Sequence, residues 1–134
     1  MRLSHTLLIV GALLAGPVAG AGQEQKGPQI AVEPAAFDFG RALQHKTLTK
    51  EFTIRNLGDA ELVIKEVKTT CGCTAAIPGE RQVAPGGKTT LSVSLETRSY
   101  LGPVERRVLL SSNDVEHGVV AVTLSVTVVA AESQ

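Results

Sequence analysis

The two cysteines of the chain lie one residue apart, in the segment Thr69-Thr70-Cys71-Gly72-Cys73-Thr74. A disulfide between such close neighbours would constrain very little chain, so it would contribute little to stability. A structural zinc ion takes four ligands, and this pair supplies only half of them. The spacing therefore argues against a loop-closing cross-link and against a zinc knuckle.

Three interpretations of Cys71 and Cys73 are open at this point. In the first, they form a disulfide with each other. Residues two apart in an extended strand have Cα atoms about 6.5 Å apart, at the upper limit of disulfide geometry, and Gly72 can bend to bring them closer. Such a small ring should be reduced more easily than an ordinary structural disulfide. In the second, the two thiolates bind Cu(I), which prefers sulfur ligands. In the third, both are small buried residues that only fill space.

The first 21 residues have the pattern of a signal peptide. Arg2 supplies a positive charge, an apolar run extends from Leu7 to Ala15, and Ala19 and Ala21 form an A-x-A cleavage site. The run is shorter than the roughly 20 residues that a transmembrane helix needs. We therefore expect cleavage after Ala21, a periplasmic or secreted protein, and no transmembrane segment after signal removal. An oxidising compartment favours the disulfide interpretation of the cysteine pair.

The composition of the remaining chain argues against several classes of function. Without Arg2, 12 of the 13 Lys and Arg residues remain, against 13 Asp and Glu, and no basic block stands out. We expect no nucleic-acid partner, because such proteins carry a basic patch. His45 and His117 are not within metal-ligand spacing of each other or of the cysteines. No nucleophile elbow, phosphate loop or zinc-protease motif is present. The sequence predicts a protein that is not an enzyme and has no cofactor, with copper as the alternative.

Short β-rich runs separated by turn residues follow residue 29. The polar segment 22–29 is predicted to be a flexible lead-in, and residues 30–130 to form one domain. The predicted strands cover residues 30–32, 37–40, 48–56, 61–68, 89–96, 104–111 and 120–128. The last is the clearest, because apolar residues alternate from Val120 to Val128. About seven short strands without a helical period predict an antiparallel β-sandwich.

The chain resembles a bacterial family of exported domains of unknown function, numbered 1573. The matching segments are Phe37-Asp38-Phe39-Gly40, Phe52-Thr53-Ile54-Arg55-Asn56-Leu57-Gly58, Leu62-Val63-Ile64, Cys71-Gly72-Cys73-Thr74, Pro85-Gly86-Gly87 and Leu91-Ser92-Val93. The resemblance covers residues 30–128, and Cys71-Gly72-Cys73-Thr74 is its most specific part. It implies an immunoglobulin-like sandwich and no established activity.

Two functional hypotheses follow. In the first, the protein is an exported, non-enzymatic immunoglobulin-like domain that contacts another protein, whose identity the sequence does not give. In the second, it is a thiol protein that binds Cu(I) or carries out redox chemistry through Cys71 and Cys73. Replacing both cysteines by Ser distinguishes them, because a contact domain should keep its partner and a thiol protein should lose its function.

Overall fold

The computed structural model of the protein describes residues 27–131. The predicted signal peptide, residues 1–21 with Ala19 and Ala21, lies outside the described residues. The described chain folds into nine strands: β1 Ile30–Glu33, β2 Ala36–Leu43, β3 Thr47–Asn56, β4 Leu62–Thr69, β5 Thr74–Pro78, β6 Gln82–Val83, β7 Lys88–Glu96, β8 Gly102–Ser112 and β9 Val119–Val129.

The strands form two sheets that face each other across the core. One sheet has the order β1-β3-β7-β5, and the other has the order β2-β9-β8-β4-β6. All pairings between described strands are antiparallel except that of β2 with β9, which is parallel. This arrangement is an immunoglobulin-like β-sandwich, as the sequence predicted.

The alternation of apolar and polar residues places one face of each long strand in the core. Val122, Leu124, Val126 and Val128 of β9 are all buried, as are Phe52 and Ile54 of β3 and Leu91, Val93 and Leu95 of β7. The polar residues between them point outward, because successive side chains of a strand lie on opposite faces. The alternation predicted for the last strand, β9, is confirmed.

The structure differs from the predicted strands at β2, β5 and β6. The run at Phe37 was expected to end at Gly40, but β2 continues to Leu43. Gly40 has a φ of 74° at the point where the pairing with β9 shifts register, and Asp38 accepts a hydrogen bond from the Gly40 N–H. Glycine tolerates this conformation, so it forms a bulge inside the strand and does not end it. The strands β5 and β6 are too short to show an alternating pattern.

The beginning of the described chain is tied to the β3–β4 turn. Gln29 accepts a hydrogen bond from the Leu57 N–H, and Gly27 accepts one from the Asp59 N–H. After β1 the chain crosses to the other sheet at the cis Glu33–Pro34 bond. These contacts fix residues 27–29, the last part of the segment predicted to be a lead-in, against the domain.

The strand β5 forms an edge of the four-stranded sheet. It pairs with β7 alone, and it ends at Pro78. Its pairing phase is set by two hydrogen bonds at its ends, from the Glu96 N–H to the Cys73 carbonyl and from the Gly79 N–H to the Thr90 carbonyl.

Within residues 27–131 we find no helix with the length and apolar character to cross a membrane.

Candidate functional site

The turn between β4 and β5 carries the cysteine pair. We call residues Thr70–Cys73 the disulfide turn. It takes the chain from one sheet to the other, because β4 and β5 belong to different sheets. The Thr74 N–H donates to the Cys71 carbonyl at 3.1 Å, and the Thr69 hydroxyl donates to the same carbonyl at 3.2 Å. These bonds close the turn where β4 ends, directly after the strand predicted over residues 61–68.

The sulfur atoms of Cys71 and Cys73 are joined in a disulfide, with a Cα–Cα distance of 5.2 Å. This distance is shorter than the spacing of an extended strand and lies in the ordinary range for disulfides. The special backbone freedom expected of Gly72 is not used. Its φ lies outside the left-handed region, and an added Cβ would meet no atom within 4 Å. The turn itself provides the bend that the sequence assigned to glycine.

The two sulfur atoms lie in different surroundings. Cys73 is 2% exposed and packs with Leu95, Val104 and Val126 in a small cluster at one end of the core. Cys71 is half-buried and lies at the edge of that cluster. Its sulfur accepts a hydrogen bond from the Cys73 N–H at 3.2 Å. Cys73 is therefore buried, whereas Cys71 is partly accessible to solvent.

Arg106 lies against the buried sulfur. It occupies an inward position of β8, in phase with the buried Val104, Val108 and Leu110. Its Nε donates to Cys73 Sγ at 3.4 Å, and its guanidinium lies 5.3 Å from the centre of the Tyr100 ring. The sequence analysis missed Arg106, although the alternation along 104–110 predicts an inward side chain at this position.

Two further side chains complete the surroundings of the disulfide turn. The Tyr100 hydroxyl lies 3.9 Å from Cys71 Sγ. Arg98, which has a φ of 47°, donates from its guanidinium to the Gly72 carbonyl at 3.1 Å and lies 3.4 Å from Glu96. No sequence pattern would have brought Arg98 to the cysteine pair, because its position depends on the β7–β8 turn.

The chemistry of this site is that of sulfur beside positive charge. Among the described residues, no group of three or more His, Cys, Asp or Glu side chains is placed to hold a metal ion. A guanidinium group stabilises a thiolate. Arg106 is therefore placed to stabilise negative charge on the sulfur of Cys73.

The second feature is a group of loops at the opposite end of the sandwich from the disulfide turn. The two ends are about 30 Å apart, which is the length of the ten-residue strand β3. We call the residues 27–29, 57–60, 84–87 and 113–118 the loop end. Asn56 is fully buried there, and its side chain bonds to four backbone groups: it accepts from the N–H groups of Gln29 and Gly58 and donates to the carbonyls of Ala60 and Val83. This side chain holds residues 27–29, residues 57–60 and the end of β6 together.

Asp114 anchors the β8–β9 loop in a similar way. It is 3% exposed, and its carboxylate accepts hydrogen bonds from the N–H groups of Ile30, Glu116 and His117. Burial acts to raise the pKa of Asp114, but these N–H groups and the neighbouring His117 outweigh it, so that the pKa lies below its ordinary value. The carboxylate is thus charged in the folded protein at neutral pH.

The anchored loops present apolar side chains to solvent. Leu57 is 62% exposed, Val115 is 90% exposed, and Val119 at the start of β9 is 63% exposed. Asn56 and Asp114 bond to the adjacent residues Gln29 and Ile30, which places Leu57 and Val115 on the same end of the molecule. The sequence analysis missed this surface, because separate turns create it.

The sequence of residues 30–128 identifies the protein family to which the chain belongs. Residues 30–128 match the family described as protein of unknown function (DUF1573), and the chain belongs to this family. No curated protein sequence matches the chain significantly.

Solved structures with the same fold have low sequence identity to this chain. A protein of unknown function from Porphyromonas gingivalis is 18% identical with a TM-score of 0.68, over 80% of this chain and 50% of its own. The PapD-like domain 7 of human CEP192 is 14% identical with a TM-score of 0.60, over 98% of this chain and 99% of its own. The secreted serine protease VesC from Vibrio cholerae is 16% identical with a TM-score of 0.57, over 81% of this chain and 24% of its own. The chain thus spans half of the first protein and a quarter of the protease, and these likenesses concern the fold alone.

Proposed function

We propose that the protein is an exported, non-enzymatic immunoglobulin-like domain that binds another protein through its loop end. The observation that carries this proposal is the exposure of Leu57 and Val115 on loops that buried polar side chains hold in place, with the exposed Val119 directly after the second loop, at the start of β9. Exposed apolar groups on rigid loops are available for contact and lose little entropy on binding.

The position of the surface also supports the proposal. The loop end lies at the opposite end of the sandwich from the disulfide turn, so binding there does not require the cysteines. The disulfide itself favours this function over Cu(I) binding, because Cu(I) is held by free thiolates and the two sulfur atoms are joined to each other here. We propose that the protein carries no cofactor.

Crosslinking in the native host tests the contact surface. A photoreactive phenylalanine analogue at position 115 should capture a specific protein, whereas the same analogue at Ile77 should not. Ile77 is a matched control, because it is 68% exposed but lies on β5, outside the loop end. Equal capture at both positions, or capture at neither, would contradict the proposal.

Binding measurements with the captured protein then test the individual residues. Leu57→Ser and Val115→Ser should each weaken the Kd about tenfold, which corresponds to about 1.4 kcal/mol of lost apolar contact. Ile77→Ser should leave the Kd unchanged, as should replacement of both cysteines by Ser. A loss of binding on cysteine replacement alone, in a folded protein, would favour the thiol hypothesis.

Export is tested separately by the N-terminus of the protein from its host. Mass spectrometry should find the chain beginning near Gly22, in the periplasmic or secreted fraction. Recovery of a chain that begins with Met1 in the cytoplasmic or membrane fraction would refute export.

A further inference from the structure

Arg106 is an inward-facing cation without an anionic partner. Among residues 27–131 its guanidinium forms no ion pair with a carboxylate. Its contacts are Cys73 Sγ, the Tyr100 ring and the Glu105 carbonyl. Arg106 thus lies beside a group that becomes an anion only when the disulfide is broken.

The two sulfur atoms differ in how an incoming thiol can reach them. Cys73 is 2% exposed and enclosed by Leu95, Val104 and Val126, whereas Cys71 is half-buried in the turn. Thiol–disulfide exchange proceeds by attack on one sulfur and departure of the other as a thiolate. Exposure favours attack on Cys71, and Arg106 favours departure of the sulfur of Cys73.

We propose that the disulfide turn is a directed thiol–disulfide exchange site, in which an external thiolate attacks Cys71 and the thiolate of Cys73 leaves toward Arg106. In the first step a bond forms between the incoming sulfur and Cys71 Sγ, the Cys71–Cys73 bond breaks, and its electron pair remains on Cys73. A second external thiolate then attacks the external sulfur of the mixed disulfide and releases Cys71. Two thiols are oxidised to one external disulfide, and their two protons end on the two cysteines.

Arg106 stabilises the leaving sulfur in this scheme. Its Nε contacts Cys73 Sγ in the oxidised protein at 3.4 Å, so the donor is already in place when charge develops on the sulfur. The Thr74 hydroxyl, 3.8 Å from the same sulfur, is a second polar group beside it. Stabilisation of the leaving thiolate should raise the rate of attack on Cys71. This reactivity is independent of the contact surface proposed for the loop end.

The site of attack can be measured on the unmodified protein. The oxidised protein is mixed with excess reduced glutathione, stopped with acid during the reaction, and digested for tandem mass spectrometry. The glutathione adduct should lie on Cys71, with Cys73 free. An adduct found mainly on Cys73, or divided equally between the two, would overturn the proposal without the use of any variant.

Substitutions test the role of the guanidinium. Arg106→Gln should slow reduction by glutathione about tenfold, and Arg106→Lys should recover most of the rate, because the charge remains. Arg107→Gln is the matched control, since Arg107 is the next residue on β8, is exposed and lies 3.9 Å from Glu105. It removes the same charge and should leave the rate unchanged.

A second thiol separates leaving-group stabilisation from attraction of the reagent. Glutathione is anionic at neutral pH, whereas cysteamine is cationic, so the loss of an arginine affects their approach in opposite directions. Arg106→Gln should slow the reaction with both thiols. Slowing with glutathione alone would assign Arg106 to reagent attraction and refute its proposed role. Far-UV circular dichroism of each variant checks that the fold is retained.

Discussion

Replacement of Asn56 by Ala should destabilise the protein more than any other single amide substitution available in the domain. The side chain is fully buried and makes four hydrogen bonds to backbone groups, at 2.7 to 3.2 Å. At about 0.5–1.5 kcal/mol for each bond, the expected loss is about 4 kcal/mol in the free energy of unfolding. The Val83 carbonyl carries part of this loss, because Val83 is buried and its oxygen would be left without that donor.

Urea denaturation followed by far-UV circular dichroism measures this change, since the chain has no Trp. Asn113→Ala is the matched control. Asn113 makes two such bonds, from the Val63 N–H and to the Glu61 carbonyl, in a half-buried position, so its loss should cost about 1–2 kcal/mol. A change below about 1 kcal/mol for Asn56→Ala, or one equal to that of Asn113→Ala, would refute the assignment of Asn56 as the anchor of the loop end.

Three other outcomes follow from the structure. Leu124→Ala should lower the free energy of unfolding by about 2–5 kcal/mol, because it removes buried surface and leaves a cavity. Ser125→Ala, on the opposite face of β9, should change the free energy of unfolding by no more than about 0.5 kcal/mol. Equal effects would mean that the register of β9 is shifted by one residue. The charged Asp114 carboxylate stabilises the fold at pH values above the ordinary aspartate pKa of about 3.9, and this contribution is lost as the pH falls through the lower pKa of the folded state. In Asp114→Asn, the free energy of unfolding should therefore fall less steeply with decreasing pH in the acid range. The same steepness as in the wild-type protein would contradict this. Gly72→Ala should fold and give close to zero free thiols when purified without reductant. The reduced wild-type protein should bind Cu(I) at most weakly and below one equivalent, and tight binding of one Cu(I) would restore the metal hypothesis.

Strands with clear alternation could be predicted from the sequence, because one buried face leaves a period of two along the chain. This holds for β3, β7 and β9, whose inward apolar residues are mostly buried, with Leu48 and Val120 half-buried. The strand β5 could not be predicted, since Thr74-Ala75-Ala76-Ile77-Pro78 has small residues and no alternation. Its place depends on pairing with β7, which is a tertiary interaction.

The candidate sites divide in the same way. The position of Cys71 and Cys73 at the end of β4 followed from the strand that precedes them. Arg106 was within reach of the sequence pattern, because its inward phase on β8 matches that of Val108. The contact of Arg98 with the disulfide turn could not be predicted, and neither could the proximity of Leu57 to Val115. Both depend on the tertiary arrangement of separate turns, which no local sequence pattern encodes.

The way in which β5 ends bears on how copies of the protein meet one another. Cys73 and Gly79 form hydrogen bonds to β7, and alternate residues of a strand direct their backbone groups to the same side. The N–H groups of Ala75 and Ile77 therefore point toward β7. The backbone groups of Thr74, Ala76 and Pro78 point toward the free side of the strand. The Thr74 N–H is bonded within the disulfide turn, and proline has none. A strand that approached this edge would find one backbone donor, that of Ala76, which is too few to extend the sheet. The disulfide turn and Pro78 thus make this edge of the four-stranded sheet a poor template for the addition of another strand.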